Sequence, residues 1–226
     1  MRETTWSGRR AAGAGGQTRP VIDASSGRSA RWESTHRRIF AAALRLFQEH
    51  GFDAVGVSQI AAEAGVSVPT FYAHYPSKEH VVMRMATPAQ TAAVLAAQPA
   101  ELPLGQRIRR AALATVGGGL GEDEEDFTAR WQVIASTPAL RHRAAEFERA
   151  TAAMVLEHLS ATTGRPIGPT DTVVAGAYLS AYTAGLLAWA DCRGERPIVA
   201  CVEEAFDALE DAWSTLSDPG SAAPPR

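Results

Sequence analysis

The sequence contains only two cysteines among its 226 residues, and this scarcity limits the chemistry available to the chain. A disulfide framework or a four-cysteine zinc site needs more cysteines. Cys192 and Cys201 are separated by a segment with Gly194 and Pro197, and we expect both to be free thiols in a reducing cytosol. The sequence also lacks a phosphate loop and the HExxH, GxSxG and CxxC motifs, and its six histidines show no metal-ligand spacing. We therefore expect no enzyme activity, no metal and no cofactor.

Charge is distributed unevenly along the chain, although the net charge is only −3. Residues 1–85 carry a balance of +4, whereas residues 86–226 carry a balance of −7. This distribution suggests that an anionic partner meets the N-terminal part. Residues 1–30 are rich in arginine and glycine and contain no apolar segment, so they do not resemble a secretory signal. We expect them to form a flexible arm.

Apolar residues recur at intervals of three and four along most of the chain, and no segment shows the alternation of a strand. The sequence therefore predicts an all-α fold. The predicted helices cover residues 31–50, 57–64, 68–74, a helix from 78 that kinks or ends near 88, 104–116, 127–135, 138–162, 172–190 and 197–216.

One of these segments, residues 172–190, carries no charge and is nearly long enough to span a membrane. It contains glycine, alanine, serine, threonine and tyrosine but few large aliphatic residues. This composition favours a helix that is buried on all sides between other helices. We expect a cytoplasmic protein without a membrane partner.

A helix-turn-helix is predicted between Val57 and Lys78. Two short helices are joined by a turn at Gly65, and Ser67 can cap the second helix with Pro69 in its first turn. Polar side chains of the second helix are expected to face outwards; they are Thr70, Tyr72 and His74. In this motif the second helix enters the major groove of DNA. Pairs of helices in ordinary bundles share the same pattern, so the spacing alone leaves both interpretations open.

The stretch from residue 38 to residue 81 reads RIFAAALRLFQEHGFDAVGVSQIAAEAGVSVPTFYAHYPSKEHV. It resembles the DNA-binding region of the TetR/AcrR family of bacterial transcriptional regulators. The resemblance is carried by Leu46-Phe47, Gly51-Phe52, Ala64-Gly65-Val66-Ser67, Thr70-Phe71-Tyr72 and Pro76-Ser77-Lys78-Glu79. It implies an all-helical homodimer whose three N-terminal helices bind a palindromic operator. It also implies a larger C-terminal domain that dimerises through its last two long helices and binds a small effector, which moves the fourth helix and releases the DNA.

The resemblance divides the chain into four parts. Residues 1–30 are the flexible arm, and residues 31–80 are the helix-turn-helix DNA-binding domain. Residues 81–217 are the ligand-binding and dimerisation domain, and residues 218–226 are a disordered tail.

Position in the motif assigns roles on the recognition helix. The base-facing start of this helix is implied to comprise Ser67, Val68, Pro69 and Thr70. Phosphate contacts are implied for Tyr72, His74 and Lys78. Because the side chains of Val68 and Pro69 offer no hydrogen bonds, we expect little direct reading of bases beyond contacts with thymine methyl groups. We therefore expect Arg28 and Arg31, at the end of the N-terminal arm, to enter the adjacent minor groove. A leader that only adds solubility is the alternative.

Two long C-terminal helices have more apolar surface than one small domain needs to bury. Their pairing with a second copy would give a four-helix interface. The residues expected there are Gly176, Ser180, Ala184, Val202, Phe206, Leu209 and Trp213. Burial of these residues inside one monomer is the alternative.

An effector pocket is implied between the middle helices. Its candidate lining residues are Met83, Phe127, Trp131, Met154, Tyr178 and Tyr182, although ordinary core packing would use the same residue types. Residues 130–164 are weakly similar to family members associated with acyl-CoA-like ligands. An acyl-CoA-like effector is therefore one expectation, and another apolar or amphipathic molecule is the alternative.

Together these features predict a ligand-responsive repressor that binds double-stranded DNA as a homodimer. A ligand-responsive activator would share every residue argument, because activation depends on where the operator lies. An architectural DNA-binding protein without a ligand is the third interpretation, and it would have a filled C-terminal core.

Overall fold

The computed structural model describes residues 24–83, 86–118, 124–193 and 195–217. These residues form ten helices and no strand, which confirms the all-α prediction. The helices are α1 (Ala24–His50), α2 (Val57–Glu63), α3 (Val68–His74), α4 (Glu79–Val82), α5 (Pro88–Ala96), α6 (Leu104–Gly118), α7 (Glu124–Ser136), α8 (Pro138–Thr163), α9 (Pro169–Asp191) and α10 (Ile198–Ser217).

Helix α1 begins at Ala24, whereas the sequence predicts order only from Arg31. Residues 24–30 of the predicted arm therefore lie in the first part of α1. The chain divides into two compact units after Thr35, and α1 contributes to both. The rest of the predicted arm (residues 1–23) and the predicted tail (residues 218–226) lie outside the described residues.

The predicted fourth helix is in fact two helices. Helix α4 ends at Val82, and α5 begins at Pro88, where the missing N–H of proline leaves no bond unmade. Thr87 caps α5, because its Oγ1 accepts the Gln90 N–H at 3.2 Å while Gln90 Oε1 accepts the Thr87 N–H at 2.9 Å. Of the two outcomes expected near Pro88, a kink or an end, the helix ends before it.

Helix α9 lies at the centre of the C-terminal helices, where it packs against α6, α7, α8 and α10. Its length and composition would suffice to cross a membrane. However, Ala175 and Leu186 are buried against neighbouring helices, as expected for the core helix of a folded domain. The expectation of burial on all sides is wrong along one face, where Val173 is 60% exposed and Ser180 is also exposed.

Glycines allow two helices to approach α9 closely. A Cβ built at Gly185 would lie 2.7 Å from the Cα of Val202 and 3.0 Å from the carbonyl oxygen of Cys201, both on α10. A Cβ built at Gly105 on α6 would overlap the ring of Tyr178 on α9. The lack of a side chain at both positions therefore determines how α6 and α10 pack on α9.

Replacing Gly185 with alanine should destabilise the protein by about 1–3 kcal/mol, because the added methyl group meets backbone that cannot move without separating α9 from α10. Urea unfolding followed by circular dichroism measures this change. The control is Ala145→Ser, which adds one heavy atom at an exposed position of α8. That variant should lose no more than about 0.5 kcal/mol. Equal unfolding midpoints for the two variants would contradict the close packing.

Candidate nucleic-acid interface and adjoining cavity

Helices α2 and α3 form a helix-turn-helix whose turn depends on local signals. Gly65 adopts a φ of +63°, a conformation that favours glycine, and the Val66 N–H donates to the Ala61 carbonyl at 2.9 Å. The predicted cap of α3 is confirmed, because Ser67 Oγ accepts the Thr70 N–H at 3.2 Å. The turn therefore fixes the direction in which α3 leaves α2.

The two sides of α3 differ sharply in exposure. Phe71 is fully buried and anchors the helix to the core, as the sequence predicts. On the opposite side, Val68, Pro69 and Tyr72 are exposed, with Tyr72 at 53%. These three side chains form the outward face of α3.

Thr70 and His74 are less accessible than the sequence suggests, since both are half-buried. The Thr70 hydroxyl lies 2.7 Å from the Ser67 hydroxyl, so it takes part in the cap. The His74 ring lies 5.7 Å from the ring of His36 on α1, and burial lowers the pKa of His74 below its ordinary value. The contact of His74 with a phosphate stays a prediction. The same ring also packs against His36 within the fold.

Lys78 has a structural role that the sequence does not reveal. Its ammonium donates hydrogen bonds to the carbonyl oxygens of Phe52 at 2.8 Å and Val55 at 3.0 Å. The same nitrogen lies 4.3 Å from the centre of the Phe52 ring. Lys78 thus ties the end of the helix-turn-helix to the connection between α1 and α2. An ammonium has three N–H donors, so one remains for the predicted phosphate contact.

The two arginines predicted to enter the minor groove both lie on α1. The Arg31 side chain is exposed, and the Arg28 side chain lies outside the described side chains. Because the backbone is helical at both positions, it does not follow the groove as an extended arm would. Their contact with DNA stays a prediction.

Two adjoining cavities lie among the C-terminal helices. The larger one, with a volume of about 200 Å³, is bounded by α5, α6, α7, α8 and α9. The smaller one, about 120 Å³, shares six lining residues with it and extends to Met83 at the end of α4. Four of the six predicted pocket residues line these cavities: Met83, Phe127, Trp131 and Tyr182.

Tyr178 and Met154 line neither cavity, which corrects their assignment. The Tyr178 hydroxyl instead donates to Glu210 on α10 at 3.0 Å. Burial and the neighbouring Glu210 carboxylate raise the pKa of Tyr178 to about 12. Met154 is half-buried on α8, away from both cavities. Both residues belong to the ordinary packing of the domain.

Arg130 is the main cavity residue that the sequence did not indicate. It lines both cavities on α7 and is only 6% exposed. Its Nη1 donates to the carbonyl oxygen of Val82 on α4 at 3.3 Å, and its guanidinium lies 5.2 Å from the Phe127 ring centre and 5.7 Å from that of Trp131. One signal was available, namely a basic residue in the otherwise apolar middle of a predicted helix.

Helix α4 is also linked to α8. The Glu79 carboxylate accepts a hydrogen bond from Ser77 and lies 3.9 Å from the Arg143 guanidinium. Burial alone would raise the pKa of Glu79, but the hydrogen bonds and the positive charges of Arg143 and Lys78 lower it overall. Glu79 is therefore held as a carboxylate at the start of α4.

The predicted interface residues divide between the surface and the core. Ser180 and Ala184 are exposed on α9, Trp213 is 37% exposed on α10, and Gly176 and Leu209 are half-buried. Val202 and Phe206 have no exposed surface at all. These two side chains pack inside the chain's own core, so neither is available to a partner.

Comparison with known protein families identifies the family that has this architecture. A family model described as bacterial regulatory proteins, tetR family, matches residues 39–85. A second model, described as the MftR C-terminal domain, matches residues 102–214. The chain belongs to the TetR family of bacterial transcriptional regulators. Proteins of this family are regulators rather than enzymes in general.

Sequence relatives match this TetR-family chain over short stretches. The HTH-type transcriptional regulator EthR of Mycolicibacterium smegmatis is 41% identical over 63 residues, covering 27% of this chain and 29% of EthR. The uncharacterized HTH-type regulator YdeS of Bacillus subtilis is 47% identical over 53 residues, covering 24% of this chain and 27% of YdeS. The chain thus matches only about a quarter of the length of these relatives.

Solved structures share the fold over most of the chain. NalD, the secondary repressor of the MexAB-OprM multidrug efflux pump in Pseudomonas aeruginosa, aligns with a TM-score of 0.53 at 22% identity, covering 80% of this chain and 96% of NalD. A complex of SmeT with triclosan aligns with a TM-score of 0.50 at 16% identity, covering 79% of this chain and 91% of SmeT. At these identities the comparison shows a common fold.

The variant Lys78→Met should lower the free energy of unfolding by about 1.5–3 kcal/mol, because it removes two charge-assisted hydrogen bonds to half-buried carbonyls. Urea titration of the DNA-free protein measures the loss. Arg38→Met, at an exposed position of α1, is the control and should change stability by no more than about 0.5 kcal/mol. A Lys78 variant as stable as the control would mean that the lysine acts only on DNA.

Proposed function

We propose that this protein is a ligand-responsive repressor that binds a palindromic operator as a homodimer in the cytoplasm. The observation that carries the proposal is the outward face of α3, where Val68, Pro69 and Tyr72 stand exposed above the buried Phe71. In a helix-turn-helix this is the surface that enters the major groove. Release of DNA is assigned to an effector bound in the cavities below α4.

The chemistry of the outward face indicates how the operator is read. Val68 and Pro69 offer only apolar contact, which suits thymine methyl groups. The Tyr72 hydroxyl can donate to a phosphate, and the remaining N–H of Lys78 can do the same. We therefore propose that phosphate contacts contribute much of the affinity and that direct base reading is limited.

An effector is favoured over an architectural role by the cavities. A protein that only shapes DNA needs no internal space, whereas about 200 Å³ is left open between α5 and α9. A cavity of about 150 Å³ holds a ligand the size of benzene. An acyl-CoA-like effector would therefore place only its acyl part inside this cavity. A ligand-responsive activator remains the second candidate, because the same geometry serves an operator in either position.

The homodimer is proposed to form through the outward face of α9 and the end of α10. Small residues there, Ser180 and Ala184, would let helices of two copies approach closely, and Gly176 lies on the same side. Val173 on α9 and Trp213 on α10 also expose apolar surface. A second copy of the chain would remove this surface from water.

DNA binding is tested by titrating the protein into labelled DNA from its own upstream intergenic region, with a scrambled duplex alongside, at two salt concentrations. Specific binding should exceed non-specific binding by roughly a thousandfold or more. Tyr72→Ala should weaken specific binding by about tenfold, since it loses contacts worth about 1–3 kcal/mol. The exposed His142 on α8 supplies the control, and His142→Ala should bind as the parent does. Equal binding of both duplexes, at low salt only, would favour the architectural interpretation.

The dimer is tested by light scattering after size exclusion at micromolar concentration. The parent should have twice the chain mass of 24.0 kDa. Ala184→Arg should shift the mass to that of a monomer, because a guanidinium placed between closely packed helices has no room and no partner. Ala153→Arg, at an exposed position of α8, should remain dimeric. A monomeric parent, or a dimeric Ala184 variant, would refute this interface.

A further inference from the structure

Two residues that line the larger cavity each carry a buried polar atom with no hydrogen-bond partner in the described structure. The two atoms are Thr91 Oγ1 on α5 and Trp131 Nε1 on α7. Thr91 is 8% exposed and Trp131 is 9% exposed. A buried donor without a partner costs about 1–3 kcal/mol, so such atoms need an explanation.

The hydroxyl of Thr91 lacks the local hydrogen bond that several other helical threonines of the described residues make. Thr128, Thr151 and Thr215 each donate to the carbonyl four residues earlier in their own helix, at 2.7–2.9 Å. This local bond is the usual arrangement for threonine inside a helix. Thr91 does not make it, although it lies in a helix as they do, and its hydroxyl has no partner in the described structure.

Trp131 restricts what that group can be. An indole N–H only donates, and a buried tryptophan normally finds an acceptor for it. The missing partner must therefore carry an oxygen or nitrogen lone pair. The Arg130 guanidinium lines the same cavity, which adds positive charge on this side.

Most of the remaining lining of the larger cavity is apolar, although Gln90, Thr115, Thr151 and Tyr182 also contribute to it. The apolar residues include Val94, Leu95, Ile108, Phe127 and Val155. With a volume of about 200 Å³, the cavity suits a ligand of roughly ten non-hydrogen atoms. A molecule with an acceptor-rich head and a hydrocarbon body satisfies both parts of the lining.

We propose that the effector is a small amphipathic carboxylate whose oxygens accept hydrogen bonds from Trp131 Nε1 and Thr91 Oγ1, with its hydrocarbon body in the apolar remainder of the cavity. This inference rests on the proposed function, because it names the ligand of the effector cavity. The smaller cavity continues from the same walls to Met83, so a longer body would extend towards the end of α4.

The experiment uses octanoate, with 1-octanol, octylamine and octanoyl-CoA as probes of similar chain length, in isothermal titration calorimetry with the full chain. Octanoate should bind at least tenfold more tightly than octanol or octylamine, since only the carboxylate offers charged acceptors to both donors. It should also bind more tightly than octanoyl-CoA, because the nucleotide part exceeds the cavity.

Three variants identify the atoms involved. Thr91→Val removes one orphaned donor with little change of shape, whereas Trp131→Phe removes the other together with part of the indole ring. Each should weaken octanoate binding by about tenfold. Thr151→Val is the matched control, because this threonine lines the same cavity but its hydroxyl is already bonded to the Phe147 carbonyl at 2.9 Å. Its octanoate affinity should equal that of the parent. Thr91→Val should also raise the urea midpoint, since it removes a buried unpaired group, and this excludes misfolding as the cause of weak binding.

Three results would overturn the proposal: no octanoate binding at millimolar concentration, equal binding of octanoate and octanol, or equal affinity of the Thr91 and Thr151 variants. Binding to operator DNA is measured separately, with the same protein preparations. Specific DNA binding without octanoate binding would reject the carboxylate and keep the repressor, whereas loss of specific DNA binding in the parent would reject the repressor itself.

Discussion

The close approach of α9 and α10 at Gly185 is the constraint on which the C-terminal domain depends. Because no side chain separates the two backbones there, α10 lies directly against α9 and covers one of its sides. Leu179 and Tyr182, on another side of α9, form walls of the cavities. Ser180, on a third side, is exposed. One helix therefore sets the position of the core, the cavities and the proposed dimer surface, which explains why it carries almost no charge.

Features that depend on residues close together in the sequence could be predicted from the sequence. Helix ends at Gly51 and Gly65, where φ is positive, and the Ser67 cap follow from local conformational preference, so the helix-turn-helix was predictable nearly residue by residue. The contact of Lys78 with the carbonyls of Phe52 and Val55 was not, because it joins residues more than twenty positions apart. A pattern of exposed and buried residues does not contain such information.

The C-terminal domain shows the limits of periodicity more clearly. An apolar stripe identifies the buried side of α10 but does not say whether its own chain or a second copy covers it, and Val202 and Phe206 prove to be covered by their own chain. Tyr178 resembles a pocket residue in sequence, yet its hydroxyl donates a hydrogen bond to Glu210 on α10, and its side chain lines neither cavity. Arg130, in contrast, does not resemble a pocket residue in sequence, because a charged residue on a helix is usually exposed to solvent.

Helix α4 has only four residues. Its short length suggests how the binding of an effector could be transmitted to the DNA-binding helices. At its C-terminal end the Val82 carbonyl accepts a hydrogen bond from Arg130, which lines both cavities. At its N-terminal end Glu79 lies beside Arg143 of α8. Lys78, immediately before it, is bonded to the connection between α1 and α2. A ligand that draws the guanidinium of Arg130 away from Val82 would remove the hydrogen bond at one end of α4 while Lys78 still holds the other. A helix of four residues is too short to bend and absorb a displacement of one end. A displacement of α4 would therefore also move the helix-turn-helix.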